Sequence, residues 1–260
     1  MYLTCQILLN FQFSFNLAIT AHKDSFTCLE SEEHYGIIYD MSNISVNYKN
    51  LIDEIRGRAS LVAVTKLHEI PEIEELLNCG ARIVGENRVE EVERKYGDGT
   101  LKKRDPGLEL HLIGHLQSRK AKKAVELCDC IDSVDSLELA EKLSRCAIEA
   151  GKTMRIMLEV NVSGETQKYG LSPEDVPAVA KAAVKLPNLE LYGLMCMAPF
   201  IEDEELIRGV FGGLRKLRDE ITKDPALKCC AKLSMGMSHD YRLALLEGSD
   251  LLRIGSKLFA

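Results

Sequence analysis

From residue 43 onward the chain alternates two kinds of apolar pattern. Ile44, Tyr48, Leu51, Ile52 and Ile55 recur at helical spacing behind the capping candidates Ser42 and Asn43, which predicts an amphipathic helix over residues 43–58. Short aliphatic and β-branched runs then follow at 61–65, 81–84, 109–113, 130–134, 154–162, 189–195, 231–234 and 250–254. Continuous apolar runs of this length are what parallel strands need when both faces are covered. Between them, residues 71–79, 136–150, 173–186 and 202–222 carry the helical period, several with proline in the first turn or Ser or Asp as a cap. Eight strand–helix units in roughly 220 residues predict a TIM-type (β/α)8 barrel, with a doubly wound open sheet as the alternative. Ala260 follows the eighth strand closely, so the 43–58 helix is expected to stand in for a closing helix in the outer ring. No C-terminal β-domain is expected.

Residues 1–40 break this pattern. They hold 7 of the 15 aromatics, no proline, no arginine and one glycine, and they carry a net charge of −4. Met1 to Ile19 is uncharged but has no basic flank and is interrupted by Gln6, Asn10, Gln12, Ser14 and Asn16, which argues against a signal peptide and a spanning helix. The expectation is that 1–40 is a non-native or disordered extension and that Met41 begins the working domain, 41–260.

Composition narrows the function classes. The chain has 260 residues, 46% hydrophobic and 28% charged, and a formal net charge of −7, of which only −3 belongs to residues 41–260. With no basic run, nothing marks a nucleic-acid backbone as a partner. The nine cysteines contain no Cys-x-x-Cys pair and include the adjacent Cys229 and Cys230, so they read as reduced thiols of a cytoplasmic protein.

In a barrel of this kind, chemistry is expected at the C-terminal ends of the strands and phosphate in the loops after strands seven and eight. The first strand runs straight into Lys66, which shares its face with Val62 and Val64 and so aims at the mouth of the barrel. Desolvation there would favour the neutral amine that Schiff-base formation requires. A lysine that merely ends a strand and reaches out to solvent is the competing reading. The seventh strand ends in Ser234-Met235-Gly236-Met237-Ser238 ahead of a helix expected over 239–247, and the eighth in Arg253-Ile254-Gly255-Ser256. Each offers a glycine and a hydroxyl where half of a phosphate cup is expected, although two ordinary strand-to-helix turns would look similar. A lysine opposite a phosphate cup points to a phosphorylated aldehyde, and pyridoxal 5′-phosphate (PLP) is the common cofactor of that description.

Several ordered motifs carry a resemblance. Ala63-Val64-Thr65-Lys66, Gly85-Glu86-Asn87-Arg88, Ile113-Gly114-His115-Leu116-Gln117-Ser118, Val160-Asn161-Val162-Ser163-Gly164-Glu165, Gly193-Leu194-Met195, Ser234-Met235-Gly236-Met237-Ser238-His239-Asp240 and Arg253-Ile254-Gly255-Ser256 resemble the PLP homeostasis protein family, the YggS/PROSC type, over residues 41–260. The resemblance implies a single-domain relative of the fold-type III alanine racemase barrel with PLP linked to Lys66. It further implies Asn87 near the ring, Arg253 facing an unprotonated pyridine nitrogen, and Ser234, Gly236, Met237, Gly255 and Ser256 around the phosphate. An arginine keeps its proton and leaves the pyridine neutral, a poor electron sink, which favours holding the cofactor over carbanion chemistry. Three departures from the usual pattern stand out: Ser256 in place of threonine, Leu67-His68 after the lysine in place of a small polar and a basic residue, and the terminal Ala260.

His111 and His115, four apart, lack a third ligand nearby and are not assigned to a metal; His115 is expected to hydrogen-bond at the pocket rim. Asn87 also reads as a helix cap, the acidic run Glu202 to Glu205 as a solvated first turn, and Met195, Met197, Met235 and Met237 as packing around the site. The function expected is a monomeric PLP carrier without catalytic residues, with PLP-dependent apoenzymes as further partners and no membrane. The rival enzyme reading is a PLP-dependent racemase working with Lys66 alone. A Schiff-base aldolase acting on a sugar phosphate shares the lysine and the cup but would be colourless.

Overall fold

A computed structural model describes residues 43–260, so the expectations for residues 1–40 and for the Ser42 cap lie outside the described residues. Eight parallel strands close into a barrel in chain order: β1 (Ser60–Val64), β2 (Ile83–Glu86), β3 (Glu109–Leu112), β4 (Cys130–Val134), β5 (Met154–Glu159), β6 (Leu189–Met195), β7 (Lys232–Ser234) and β8 (Leu251–Ile254). Closure is made by β1 against β8, with Ser60 opposite Leu251 and Ala63 opposite Ile254. The outer layer is α1 (Asn43–Ile55), α2 (Ile70–Asn78), α3 (Val89–Tyr96), α4 (Thr100–Arg104), α5 (Ala121–Leu127), α6 (Leu137–Glu149), α7 (Val176–Ala183), α8 (Glu204–Ile221) and α9 (Tyr241–Leu246). Among the described residues no helix is long and apolar enough to cross a membrane.

Alternation along the strands divides the core in two. Val62, Val64, Ile113, Cys130, Met157, Met195 and Leu251 fill the barrel, whereas the larger cluster, with Ala63, Val84, Leu110, Ile131, Leu233, Leu252 and Ile254, lies between strands and helices. The first helix takes the place foreseen for it. It buries Ile44, Leu51 and Ile55 and packs on α2, while the Glu54 carboxylate accepts hydrogen bonds from Tyr241 and Arg242 at α9. Asn47 Nδ2 donates to the carbonyls of Leu258 at 3.3 Å and Ala260 at 3.1 Å, stitching this helix to the segment after β8. Ile52, placed in the apolar stripe, instead stays 38% exposed.

The acidic run does open a helix: Asp203 is the cap of α8, its carboxylate accepting from Leu206 N at 3.0 Å. Asn87 is not a cap, because α3 starts one residue later than expected, with Arg88 in the cap position.

The turn after β1 holds a local conflict. The Thr65 carbonyl accepts from His68 N at 3.1 Å, closing a turn in which Leu67 holds φ 68, a left-handed conformation that a leucine pays for with Cβ crowding. Leu67 is 89% exposed and so gains little from burial. Leu67→Asn, which tolerates this conformation and sacrifices no core contact, is expected to raise stability by about 1 kcal/mol. Urea denaturation checks this, and an equal or lower midpoint at unchanged slope counts against it.

Candidate functional site

The mouth at the C-terminal ends of the strands gathers the residues singled out from the sequence. Lys66 continues the inward register of Val62 and Val64 to the rim, where its side chain is exposed and has no hydrogen bond or ion pair among the described residues. Burial of this ammonium, expected from the inward register, is not found: the strand ends at Val64, two residues before the lysine, and the turn carries the side chain out of the apolar layer.

The turn following β8 lies directly against the end of β1, at Val64, two residues before Lys66. A Cβ on Gly255 would stand 3.1 Å from the Val64 carbonyl oxygen and 3.2 Å from Val64 Cβ, so only a bare Cα permits this approach comfortably. Gly255 N donates to Ser238 Oγ at 3.3 Å, which joins the turns after β7 and β8. Gly236 holds φ 94, and a Cβ there would meet Ala244 Cβ at 2.5 Å. The backbone of Met237 is already engaged: its N–H donates to Asp240 Oδ1, and its carbonyl accepts from Asp240 N at 3.1 Å and Tyr241 N at 2.9 Å. The N–H groups of Ser238 and Ser256 have no acceptor among the described residues, and Ser256 is exposed. The helix expected over 239–247 is the six-residue α9, so an anion would meet two joined turns, a nest of amides and hydroxyls, more than a helix end.

Ser234 sits deeper than the rim. Its hydroxyl donates to Asp132 Oδ2 at 3.2 Å and accepts from Arg253 Nη1 at 2.7 Å, while Arg253 Nη2 donates to the Cys196 carbonyl at 2.8 Å. Arg253, on the inward register with Leu251, is 4% exposed and held from both sides, with further N–H groups left for a ligand atom above it. Ser234 thus orients Arg253 within the barrel.

Asp132 extends this chain to His111, whose Nδ1 lies 2.9 Å from Asp132 Oδ1 and whose Nε2 lies 3.7 Å from Glu109 Oε2. Burial opposes a charge on His111, but the Asp132 carboxylate, with Glu109 beyond the other nitrogen, outweighs it and pushes the imidazole up to about 9. Ligand atoms of His111, Cys130 and Asp132 lie within 4.8 Å of one another. Both Asp132 oxygens are committed, one to His111 and one to Ser234, so this trio reads as a hydrogen-bonded support more than a metal centre. His111 and His115 part company: His115 Nδ1 is 3.1 Å from Asp135 Oδ2, and its ring stacks on Tyr169 at 3.8 Å.

The His111 charge has a consequence for stability. A value of about 9 in the folded chain against 6.5 unperturbed means that folding gains from this group fully below about pH 6.5, and the gain is lost as pH rises through 9. The melting temperature is expected to fall between pH 7 and pH 10, and to fall less in His111→Gln; parallel curves for the two proteins would count against the assignment.

Asn87 follows Glu86 at the end of β2, half-buried, with no hydrogen bond to its side-chain amide among the described residues. Glu159, which ends β5, was not foreseen. It is 3% exposed, and burial drives its carboxyl up to about 7 against the opposing pull of Arg253. The signal that could have found it is the one that found Lys66: a charged residue on the inward register at the C-terminal end of an apolar strand.

Comparison with known proteins supplies the family. Residues 39–260 match the alanine racemase N-terminal domain family. The pyridoxal phosphate homeostasis protein of Aquifex aeolicus is 38% identical over 201 residues, which span 77% of this chain and 86% of that protein. The Homo sapiens protein of the same name is 36% identical over 210 residues, 76% of this chain and 75% of that protein. The structure of PipY from Synechococcus elongatus solved without PLP has a TM-score of 0.79 at 36% identity, covering 84% of this chain and all of PipY. Its counterpart with PLP bound has a TM-score of 0.76 at 35% identity, again covering 84% of this chain and all of PipY. With the barrel, the lysine at its rim and the joined glycine turns beside it, these likenesses make the chain a member of the pyridoxal phosphate homeostasis protein family, built on the alanine racemase N-terminal domain.

Proposed function

We propose that this protein captures pyridoxal 5′-phosphate as a Schiff base on Lys66 and holds it as a carrier, without turning over amino acids. The observation that carries the reading is the placement of a lysine at the barrel rim, without a partner among the described residues and two residues beyond Val64, against which the Gly255 turn packs. When bound, PLP supplies an aldehyde to a primary amine and a phosphate to a cup of donors. The amides and hydroxyls of Gly236, Ser238, Gly255 and Ser256 are the groups that would take the phosphate, with Met237 shaping the turn. Arg253, held by Ser234 and Cys196, would donate to the pyridine nitrogen and keep it neutral, which discourages carbanion chemistry. Asn87 would contact the ring. The names of the relatives and the PLP in PipY support this reading. The seven described cysteines are all free thiols, in keeping with a reducing, cytoplasmic compartment. Delivery to apoenzymes would follow from reversible capture.

The visible spectrum of the untreated protein, recorded before and after borohydride reduction, tests the proposal. A yellow protein that bleaches, with the pyridoxyl adduct mapped to the Lys66 peptide, is the expected result. A protein that stays colourless and gains no adduct after incubation with PLP overturns it, and robust turnover of alanine or serine enantiomers would replace the carrier with an enzyme.

A further inference from the structure

Outside the barrel wall, α3 and the ends of β1 and β2 enclose a second polar cluster. The Lys95 side chain is fully buried; its Nζ lies 2.8 Å from Glu86 Oε1 and donates to the Thr65 carbonyl at 2.8 Å. Thr65 Oγ1 donates to Glu86 Oε1 at 2.7 Å and lies 2.9 Å from Tyr96 OH. Glu91, on the same helix, approaches Lys95 Nζ to 3.4 Å. Taking an ammonium and a carboxylate out of water is costly, and their attraction offsets that only with good geometry, so such a pair is weak evidence of a purely stabilising role.

What distinguishes this pair is the group it grips. Thr65 immediately precedes Lys66, and Glu86 immediately precedes Asn87. The Thr65 carbonyl that receives the Lys95 proton donor is also the one that closes the turn over Lys66 and Leu67, with Leu67 in its left-handed conformation. A strained turn of this kind persists only where neighbours over-determine it. At its far end His68 is fixed by Glu72 at 2.8 Å and by the Phe259 ring, stacked at 3.6 Å. At its near end the buried ammonium is the fixing group.

We propose that Lys95, paired with Glu86, is the positioning residue for Lys66: it anchors the Thr65 carbonyl and so holds the turn that presents the amine to the mouth. The inference rests on the Lys66 reading above. In the step concerned, the neutral amine adds to the aldehyde carbon, C=N replaces C=O, and the aldehyde oxygen leaves as water with both amine hydrogens. Lys95 touches neither partner and acts through the turn alone.

The test compares the full-length wild type with Lys95→Met, Lys95→Met/Glu86→Gln and Leu67→Gly, using two probes. PLP can form the imine; pyridoxamine 5′-phosphate, which carries an amine in place of the aldehyde, reads the phosphate cup alone. The rate at which borohydride-trappable PLP accumulates is expected to fall about tenfold or more in both Lys95 variants and about threefold in Leu67→Gly, with pyridoxamine 5′-phosphate affinity within about twofold of wild type. Parallel loss of both probes, or an unchanged trapping rate, overturns the proposal. Leu67 is exposed, so its replacement leaves the core intact, and if both Lys95 variants fail to fold the Leu67→Gly rate decides. A wild type that traps no PLP overturns the Lys66 reading itself, whereas normal wild-type trapping with unaffected variants overturns only the role of Lys95.

Discussion

Replacing Lys66 with alanine is expected to abolish covalent capture while leaving the fold unchanged. The side chain is exposed and free of hydrogen bonds and ion pairs among the described residues, so its removal should alter stability by no more than about 0.5 kcal/mol. The binding cost is of another order. Without the carbon–nitrogen bond the proposed phosphate cup, Arg253 and Asn87 would be left to hold the cofactor, and the apparent affinity for PLP should drop about a hundredfold or more, roughly 2.7 kcal/mol. Pyridoxamine 5′-phosphate, which needs no amine from the protein, should bind nearly as before. Equilibrium dialysis with both compounds, together with mass mapping after borohydride, measures the difference. A Lys66→Ala protein that stays yellow and carries an adduct elsewhere would move the site to another lysine.

Gly236→Ala is expected to cost about 3 kcal/mol in stability and to dismantle the cup. Two effects combine. The backbone at φ 94 disfavours any residue with a Cβ, and the new methyl would stand 2.5 Å from Ala244 Cβ and 3.1 Å from Tyr241 Cα. Neither neighbour can yield without displacing α9. The Gly236 carbonyl accepts from Arg253 N at 2.9 Å, so a shifted turn would carry Arg253 with it. Gly248 is the control: it has φ 83, but its nearest neighbour to a Cβ is Arg215 Cδ at 3.9 Å, so Gly248→Ala should show the backbone penalty alone, about 1 kcal/mol. Chemical denaturation of both variants reads the difference, and equal losses would mean that packing around Gly236 relaxes.

The strands were legible because each is a nearly unbroken apolar run, and the reading of 130–134 and 189–195 coincides with β4 and β6. The run 154–162 reads three residues too long, because Val160 still looks like a strand but makes only an isolated bridge to Leu171. Short, charged α4 and α5 have too few turns to show an apolar stripe. At the site, Lys66, Ser234, Gly236, Arg253, Gly255 and Ser256 announce themselves by position at strand ends, and Asn87 through the family motif. The links between them do not. His111, Asp132, Ser234 and Arg253 come from four different strands, and only closure of the barrel makes them one hydrogen-bonded chain. Lys95, inside the charged stretch Val89–Tyr96, looks like any solvated helix residue, yet it is turned inward onto β1 and β2.

The seam between β1 and β8 also governs how the molecule can be made. On a ribosome β1 emerges early and its partner late, so for most of synthesis the growing sheet has two raw edges that invite pairing with other chains. The first helix waits as well, since the acceptors of Asn47 are at Leu258 and Ala260. A nascent chain halted before β8 should therefore yield aggregates or degradation products in place of a smaller working protein.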